Sequence, residues 1–198
     1  ASLLYANIFP LNLIIVGVFS ALIGWEIGPT IEYTGKRFQI RKYLKSKGVK
    51  LDKNFKITQA QQKEFEKSYL SQHMHEKWRN VINQALTATT LAVFVTAGTV
   101  FLTNFDFSFL QGFLFMALLL LIIMGILNTL FFKSRIVSLL GAYFGAVIFT
   151  FYLLFDFNRL EKMAGDESWA TAIEISVSLY LDIINLFLDL LTILAEQD

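Results

Sequence analysis

The sequence predicts an all-α membrane protein, a polytopic bundle in which five helices cross the bilayer and the last helix is central. Of its 198 residues, 55% are hydrophobic and only 17% are charged. This composition is too apolar for an ordinary soluble domain. The apolar residues also fall into five runs, each long enough to cross a hydrocarbon core as a helix. The strands of a membrane β-barrel are shorter and alternate in polarity, so helices are the better interpretation.

The first predicted span carries the features expected of a packed helix. The five spans cover residues 8–33, 81–103, 107–132, 136–158 and 171–195. Small residues recur in the first span at helical spacing, at Gly17, Ser20, Gly24 and Gly28. Such a stripe predicts the close approach of a neighbouring helix. Glu26 lies deep enough in this span that we expect it to face the bundle interior.

A strongly basic segment separates the first span from the second. Residues 35–80 contain thirteen basic and four acidic side chains, a net charge of +9. Positive charge favours the cytoplasmic side, which would place this segment and the C-terminus inside. Residues 59–79 lack glycine and proline and predict a helix that continues into the second span. The chain is thus expected to divide into a first span (1–34), a basic inserted loop (35–80) and a four-span bundle (81–198).

The basic segment offers a surface for partners outside the bilayer core. We expect it to lie on an anionic leaflet or to bind a protein partner. Cysteine is absent, which excludes disulfides and thiolate metal sites. No nucleotide, phosphate-loop or hydrolase motif is present, so we expect no enzyme activity, bound cofactor or nucleic-acid partner. The first residues do not resemble a signal peptide, and the chain is expected to begin partway through a longer protein.

One face of the last span is polar along its whole length. Its members, at steps of three or four residues, are Glu174, Ser178, Asp182, Asn185 and Asp189. Residues at these steps share one side of an α-helix. Lipid cannot satisfy such a face, so it must turn toward protein or a water-filled cavity. We therefore expect the last helix to be central and to line a path.

Asp156 in the fourth span and Asp182 in the fifth form the main candidate site. An aspartate at the centre of a spanning helix costs roughly 2.5 to 3.5 kcal/mol on insertion scales, so it is rarely incidental. Antiparallel packing about a turn near residue 166 would set Asp156 beside Ser178, with Asp182 roughly 9 Å further along. Helix tilt would then be needed to bring the two carboxyl groups together.

We expect these two carboxyl groups to share a proton or to accept hydrogen bonds in a closed state. Loss of that proton would place like charges side by side, separate the helices and attract a hard cation such as Ca²⁺. Further ligands or donors are expected from Tyr152, Tyr180, Ser178 and Asn185. Arg159, nearly one turn beyond Asp156, is expected to be a local partner. In the alternative interpretation, the acids only hold the helices together through hydrogen bonds.

Several short blocks of the sequence are similar to those of one known family. They are residues 28–32 (GPTIE), 83–89 (NQALTAT), 106–112 (DFSFLQG), 154–156 (LFD) and 178–187 (SLYLDIINLF). With these blocks, over residues 8–34 and 80–195, the chain resembles the transmembrane Bax inhibitor motif family. The resemblance implies a bundle of six helices around a seventh and a pH-sensitive calcium leak. In that leak Asp156 and Asp182 would act as a shared proton and ion gate.

Two features depart from the family pattern. The family has two further spans upstream, including a basic residue that can pair with the aspartates, so this chain is expected to lack the first two spans. The basic segment is also longer than the usual connection. The family's usual topology would place that segment outside, against the charge rule.

The function predicted from these features is a pH-sensitive calcium leak channel of the Bax inhibitor type, with calcium as permeating ion and transient ligand of Asp156 and Asp182. We expect a multi-pass protein of a bacterial inner membrane or of an intracellular organelle membrane. The alternatives are an interaction protein that regulates a membrane protease or a stress or cell-death pathway, and a proton-coupled transporter. An intramembrane aspartyl protease would also use two aspartates, but its usual Gly-x-Gly-Asp context is missing before Asp182.

Overall fold

A computed structural model describes residues 11–49, 57–68, 71–103, 105–163 and 169–197. Every regular element within these ranges is helical. The elements are α1 (Leu11–Ser46), α2 (Gln59–Glu66), α3 (Ser71–Thr103), α4 (Leu110–Leu127), a π-helical turn (Asn128–Phe132), α5 (Arg135–Lys162) and α6 (Trp169–Glu196). Five helices are long and apolar enough to cross a membrane: α1, α3, α4 with the π-helical turn, α5 and α6. The predicted all-α, five-span fold is confirmed.

The last helix occupies the centre of the bundle. α6 packs against α1, α3 and α5, whereas α4 packs mainly on α5 and faces α6 across a cavity. The buried side chains Phe149, Leu153 and Leu186 form the apolar contact between α5 and α6. Outward side chains of α4, such as Phe113 and Leu120, are exposed, as expected for a helix that faces lipid. The polar face of α6 therefore has protein around it.

The first helix packs through a different face from the one predicted. Its partly buried residues recur every three or four positions: Val16, Ser20, Ile23, Ile27 and Ile31. At Gly17, Gly24 and Gly28, no atom of a neighbouring helix lies within 4 Å of the place that a Cβ atom would take. The predicted close approach at these glycines is therefore wrong for the described helices. The apolar stripe forms the packed face because its side chains bury more apolar area against α3 and α6 than the glycines would.

The described part of the basic segment, residues 35–49, 57–68 and 71–80, is mostly helical. α1 continues past residue 34 to Ser46, and α2 begins with a capping box formed by Thr58 and Gln61. Buried apolar side chains join the end of α1, α2 and the start of α3: Ile40, Tyr43, Leu44, Phe65 and Met74. The predicted continuous helix over 59–79 is wrong, because α2 ends at Glu66 so that Phe65 can turn onto Tyr43.

A glycine allows α1 and α3 to meet closely above this cluster. The indole ring of Trp78 lies against Gly35 and fills the space that a Cβ would need. Trp78 also packs on Phe38, with 5.5 Å between the ring centroids. Leu191 and Ala195 of α6 join the same buried cluster. The C-terminal end of α6 is therefore fixed at the end of the bundle that carries the basic segment.

Candidate functional site

Two buried aspartates meet between α5 and α6. Asp156 is 2% exposed and Asp182 is 7% exposed. Their carboxyl groups are close enough to interact electrostatically, and Ser178 lines the same cavity beside them. Ser178 and Asp182 are one turn apart on α6, so Asp156 lies between two successive turns. Asp156 therefore reaches Asp182 in spite of the axial offset expected from the sequence. Both residues predicted to lie beside it, Ser178 and Asp182, line the same cavity.

Arg159 links the aspartate pair to the N-terminal part of α6. Its Nη1 atom lies 3.6 Å from Oδ1 of Asp156, and its Nη2 atom donates to Oε1 of Glu174 at 2.8 Å. The Glu174 side chain is 53% exposed, so this pair lies at an open edge of the site. We call this edge, formed by Arg159 and Glu174, the mouth. The local partner expected for Asp156 is therefore in contact with two acids.

A cavity of about 710 Å³ opens beside the aspartate pair. Its polar lining consists of Asp156, Arg159, Ser178, Asp182, Asn185 and Asp189, and Tyr152 also lines it. Leucine and phenylalanine side chains of α4 and α5 form the opposite wall. Four of the five polar-face residues predicted on α6 therefore line one space, and the fifth, Glu174, closes its mouth. The cavity carries three carboxyl groups and one guanidinium group.

Two carboxyl oxygens in this cavity are buried without a donor. Oδ2 of Asp182 and Oδ2 of Asp189 find no hydrogen-bond partner among the described residues. A buried acceptor left unpaired costs about 1 to 3 kcal/mol, so such atoms require a proton, water or a cation. A proton held between Asp156 and Asp182 would supply the missing donor to the pair. The arrangement is therefore chemically suited to bind either protons or a hard cation.

Asp189 connects this cavity to a second one. Its carboxyl group packs against Gly145 of α5, where any side chain would collide with it. A cavity of about 240 Å³ begins at Asp189 and continues past Thr192 and Ser138 to the π-helical turn. Leu121 and Asp189 line both spaces. The polar face of α6 therefore borders a row of two cavities rather than an isolated pocket.

The end of the second cavity is shaped by a side-chain bridge. Asn128 accepts from the backbone N–H of Ser134 at 2.9 Å and donates to its carbonyl oxygen at 3.1 Å. These bonds hold the turn from α4 into α5, in which Lys133 adopts φ 46°. π-Helical turns occur often at functional sites, and this one lines the cavity. The sequence predicted a break between the spans at residues 133–135, and the polar Asn128 within the apolar span was a signal of the π-helical turn.

Two of the predicted supporting residues lie elsewhere. The hydroxyl of Tyr180 donates to the backbone carbonyl of Ser20 at 3.3 Å, so it contacts α1 and not the aspartates. Glu26 is exposed, because α1 packs through a neighbouring, mainly apolar face. The expectation that Glu26 faces the interior is therefore not met within the described helices. Tyr152, in contrast, lies near both aspartates.

A group of polar contacts between the end of α5 and residues 106–108 was not predicted from the sequence. We call its ion pair, Asp106 with Lys162, the latch. Asn158, only 2% exposed, accepts from the backbone N–H of Phe107 at 3.1 Å. Lys162 donates to Asp106 and, at 2.9 Å, to Ser108. The ammonium of Lys162 and the backbone N–H of Ser108 lower the pKa of Asp106 to about 2. The sequence did offer a signal for these contacts. Asn158 and Lys162 are polar residues that follow Asp156 by two and six positions.

The site is not built as a multi-ligand metal centre. Within the described ranges, no group of three or more histidine, aspartate or glutamate side chains is placed to hold a metal ion. Stable calcium sites use six to eight oxygen ligands. A cation here would find carboxyl groups one or two at a time, together with the amide of Asn185 and the hydroxyl of Ser178. Such a site favours brief binding over retention.

Comparison with known proteins identifies a family match over more than half of the chain. The family described as Bax1-I, inhibitor of apoptosis-promoting Bax1, matches residues 68–198. Protein LIFEGUARD 4 of Arabidopsis thaliana is 36% identical over 115 residues, which are 57% of this chain and 45% of that protein. The Golgi anti-apoptotic protein of Vaccinia virus (strain Lister) is 37% identical over 115 residues, 58% of this chain and 47% of that protein.

A bacterial relative is similar to the same extent. An uncharacterized membrane protein of Vibrio cholerae serotype O1 is 34% identical over 114 residues, 58% of this chain and 49% of that protein. The chain therefore spans about half the length of the curated relatives it matches. None of these three relatives has the name of an enzyme. The apolar helices and the membrane relative together identify a multi-pass integral membrane protein.

Proposed function

Because this chain belongs to the family of inhibitors of apoptosis-promoting Bax1, we propose that it forms a pH-sensitive calcium leak pathway gated by Asp156 and Asp182. The single observation that supports this proposal most is the meeting of these two buried carboxyl groups beside a cavity. Two carboxylates so close cannot both be charged without strong repulsion. The protonation of the pair is therefore coupled to the distance between α5 and α6.

In the closed state, one proton lies between the two carboxyl groups. That proton turns one of them into a donor for the buried oxygen of the other, which otherwise has no partner among the described residues. Arg159 balances the remaining negative charge from 3.6 Å. In this state α5 and α6 are held together by the shared proton, and the site attracts cations weakly.

Loss of the proton opens the path. Two unit charges 4 Å apart repel by about 4 kcal/mol at an effective dielectric constant of 20, which is enough to shift a helix-packing equilibrium. The same two negative charges attract Ca²⁺, for which carboxylate oxygens are preferred ligands. Calcium flux is thus expected to rise as the pH rises through the titration of the pair.

Asp189 provides the next step for the ion. It lines both cavities, and its buried Oδ2 atom has no donor among the described residues. A cation that leaves Asp182 would pass Asn185, meet Asp189 and enter the second cavity beside Thr192 and Ser138. Each contact is with few ligands, so the ion is not retained. Calcium is the permeating ion in this proposal, and no resident cofactor is required.

The location of the pathway is proposed as a bacterial inner membrane, with an intracellular organelle membrane as the alternative. The positive charge of residues 35–80 favours a cytoplasmic position for the basic segment and for the C-terminus. The mouth at Arg159 and Glu174 would then face the other side of the membrane. Cations would enter there and leave near the basic segment.

Calcium flux into proteoliposomes tests the gate. We expect the full-length protein to show flux that rises with pH, and Asp182→Asn and Asp156→Asn to remove that pH dependence. Glu161→Gln, an acid on α5 that is not among the cavity-lining residues, is the matched control and should behave as wild type. Flux that is unchanged in both aspartate variants would disprove the gate. Solute exchange driven by a pH gradient, without calcium flux, would favour a proton-coupled transporter.

A second candidate function rests on the basic segment. Lys63, Lys67, Lys77 and Arg79 are exposed around the compact cluster of Phe65 and Tyr43, separate from the cavities. This surface suits an acidic protein partner, as expected for a regulator of a membrane protease or of a stress or cell-death pathway. Co-purification that is lost when these four residues are changed to glutamine, with calcium flux retained, would support this function.

A further inference from the structure

The C-terminal end of α6 is held by a partly buried ion-pair cluster outside the proposed pathway. Nη1 of Arg41 donates to both carboxylate oxygens of Glu196 at 2.8 Å. Arg135 pairs with the same carboxylate from the start of α5. The side chains of Arg41 and Glu196 are only 10% and 16% exposed. We call these three residues the clasp.

The clasp joins three helices at one end of the bundle. Arg41 belongs to the end of α1, Arg135 to the start of α5, and Glu196 to the last turn of α6. Leu191 and Ala195 of α6 pack into the neighbouring apolar cluster. Polar and apolar contacts therefore fix the same end of α6.

The clasp contains more positive than negative charges. Two guanidinium groups share one carboxylate, and Arg37 adds a further positive charge nearby. Nε of Arg41 is buried and meets no acceptor among the described residues. Glu196 is therefore the group that keeps several like charges together, and its loss would leave them to repel one another.

The opposite end of α6 is held more weakly. There, Glu174 pairs with Arg159 at the mouth, and its side chain is 53% exposed. Exposed ion pairs are screened by water and salt, whereas a buried charge has few alternative partners. α6 is therefore anchored firmly at the clasp and loosely at the mouth, with Asp182 between the two ends.

We propose that Glu196, with Arg41 and Arg135, is a positioning element that makes the clasp the fixed pivot of α6, so that gating motion occurs at the mouth. This inference rests on the proposed function, because it concerns the motion that would open that pathway. It also assigns a role to the basic segment. Since Arg41 precedes Tyr43 and Leu44, which pack on α2 and α3, a partner that shifts this segment would act on α6 through Arg41 and Glu196.

Distances measured between spin labels test the pivot directly. The chain has no cysteine, so pairs of cysteines can be introduced and labelled without background. One pair, at the exposed Ile136 and Gln197, reports the clasp end, and another, at the exposed Thr103 and Ala172, reports the mouth. We expect deprotonating pH to lengthen the mouth distance and to leave the clasp distance unchanged. A change at the clasp end that equals that at the mouth would overturn the pivot.

Substitutions in the clasp give a second readout. Glu196→Gln should lengthen the clasp distance and raise calcium flux at low pH by about fivefold or more, the lower limit of typical coupling between sites. Arg41→Gln should do less, because Arg135 still holds Glu196. The double variant should show less than the sum of the two effects, because removing Arg41 relieves the repulsion that Glu196→Gln creates. Glu32→Gln, in an exposed ion pair on α1, is the matched control.

The outcomes separate this inference from the proposed function. Should Glu196→Gln fail to fold, Arg41→Gln alone carries the test, and an unchanged clasp distance in that variant would overturn the positioning role. If the clasp distances change as expected but the protein shows no calcium flux, the pivot is supported and the calcium-leak proposal is disproved. If the pH-dependent calcium flux is identical in all clasp variants, the calcium-leak proposal is supported and the pivot is disproved.

Discussion

Asp189 of α6 packs its carboxyl group directly against Gly145 of α5, and no side chain could fit between them. This contact lets a carboxyl group lie at the helix interface where the two cavities meet. The position of Asp189 in the polar face of α6 therefore requires a glycine at position 145 of α5. Gly145 thus leaves the space that the Asp189 carboxyl group occupies.

Gly145→Ala is expected to destabilise the protein and to disturb the pathway. The added methyl group would force Asp189 or α5 to move, and overpacking of this kind costs about 1 to 3 kcal/mol. Thermal unfolding in detergent and calcium flux would measure the two effects. Gly98→Ala on α3, where no atom lies within 4 Å of the new Cβ, is the control. That variant should be neutral or up to about 1 kcal/mol more stable, and a similar loss in both would contradict the packing argument.

Breaking the mouth should increase calcium flux. Arg159→Gln removes a cation that repels Ca²⁺ and releases α6 from α5 at that end. Glu174→Gln releases the same pair but leaves the cation, and the exposed pair itself contributes no more than about 1 kcal/mol. We therefore expect a clear rise in flux for Arg159→Gln and a small change for Glu174→Gln. The reverse order, measured in the same proteoliposomes, would show that the guanidinium is not a barrier to the ion.

The two tyrosines near the site should differ in their effect. Tyr152 lines the cavity, whereas the hydroxyl of Tyr180 contacts Ser20 of α1. Tyr152→Phe is expected to change the pH dependence of flux, because it removes a hydroxyl close to both aspartates. Tyr180→Phe loses one hydrogen bond, about 1 kcal/mol of stability, and should leave that pH dependence unchanged. Equal flux profiles for the two variants would contradict this assignment.

The latch formed by Asp106 and Lys162 predicts a pH dependence of stability. Asp106 has a pKa of about 2 in the fold, below its ordinary value of 3.8, chiefly because of its hydrogen bond with Lys162. A lowered carboxyl pKa stabilises the fold above the ordinary value, and that contribution is lost as the pH falls. The unfolding midpoint of wild type should exceed that of Asp106→Asn near neutral pH, and the difference should shrink between about pH 4 and pH 2.

A control for the latch is available on the same ion pair. Lys162→Gln removes the cation and should abolish most of the difference between Asp106 and Asp106→Asn at neutral pH. Because Asp106 is exposed and lies outside the spanning helices, neither change should affect calcium flux strongly. A difference in midpoint that stays constant from neutral to acidic pH would show that Asp106 does not titrate as described.

Much of the fold and part of the site could be predicted from the sequence. Apolar length predicted the five spans, and the spacing of Ser178, Asp182, Asn185 and Asp189 predicted one polar face directed away from lipid. The face of α1 was predicted wrongly, because both its glycine stripe and its apolar stripe have helical spacing. Tyr180 was misplaced for a related reason: a residue two positions before Asp182 lies on another side of the helix, toward α1.

Composition and periodicity alone determined that this chain is a membrane-spanning helical protein with acids inside two spans. These properties are local, since they depend on the desolvation of side chains and on the pitch of one helix. Only the tertiary structure decided that Asp156 reaches Asp182, that Gly145 admits Asp189, and that Glu196 binds Arg41. Each of these depends on the rotation and axial shift of one helix against another, and these are set by side-chain packing between segments distant in the sequence.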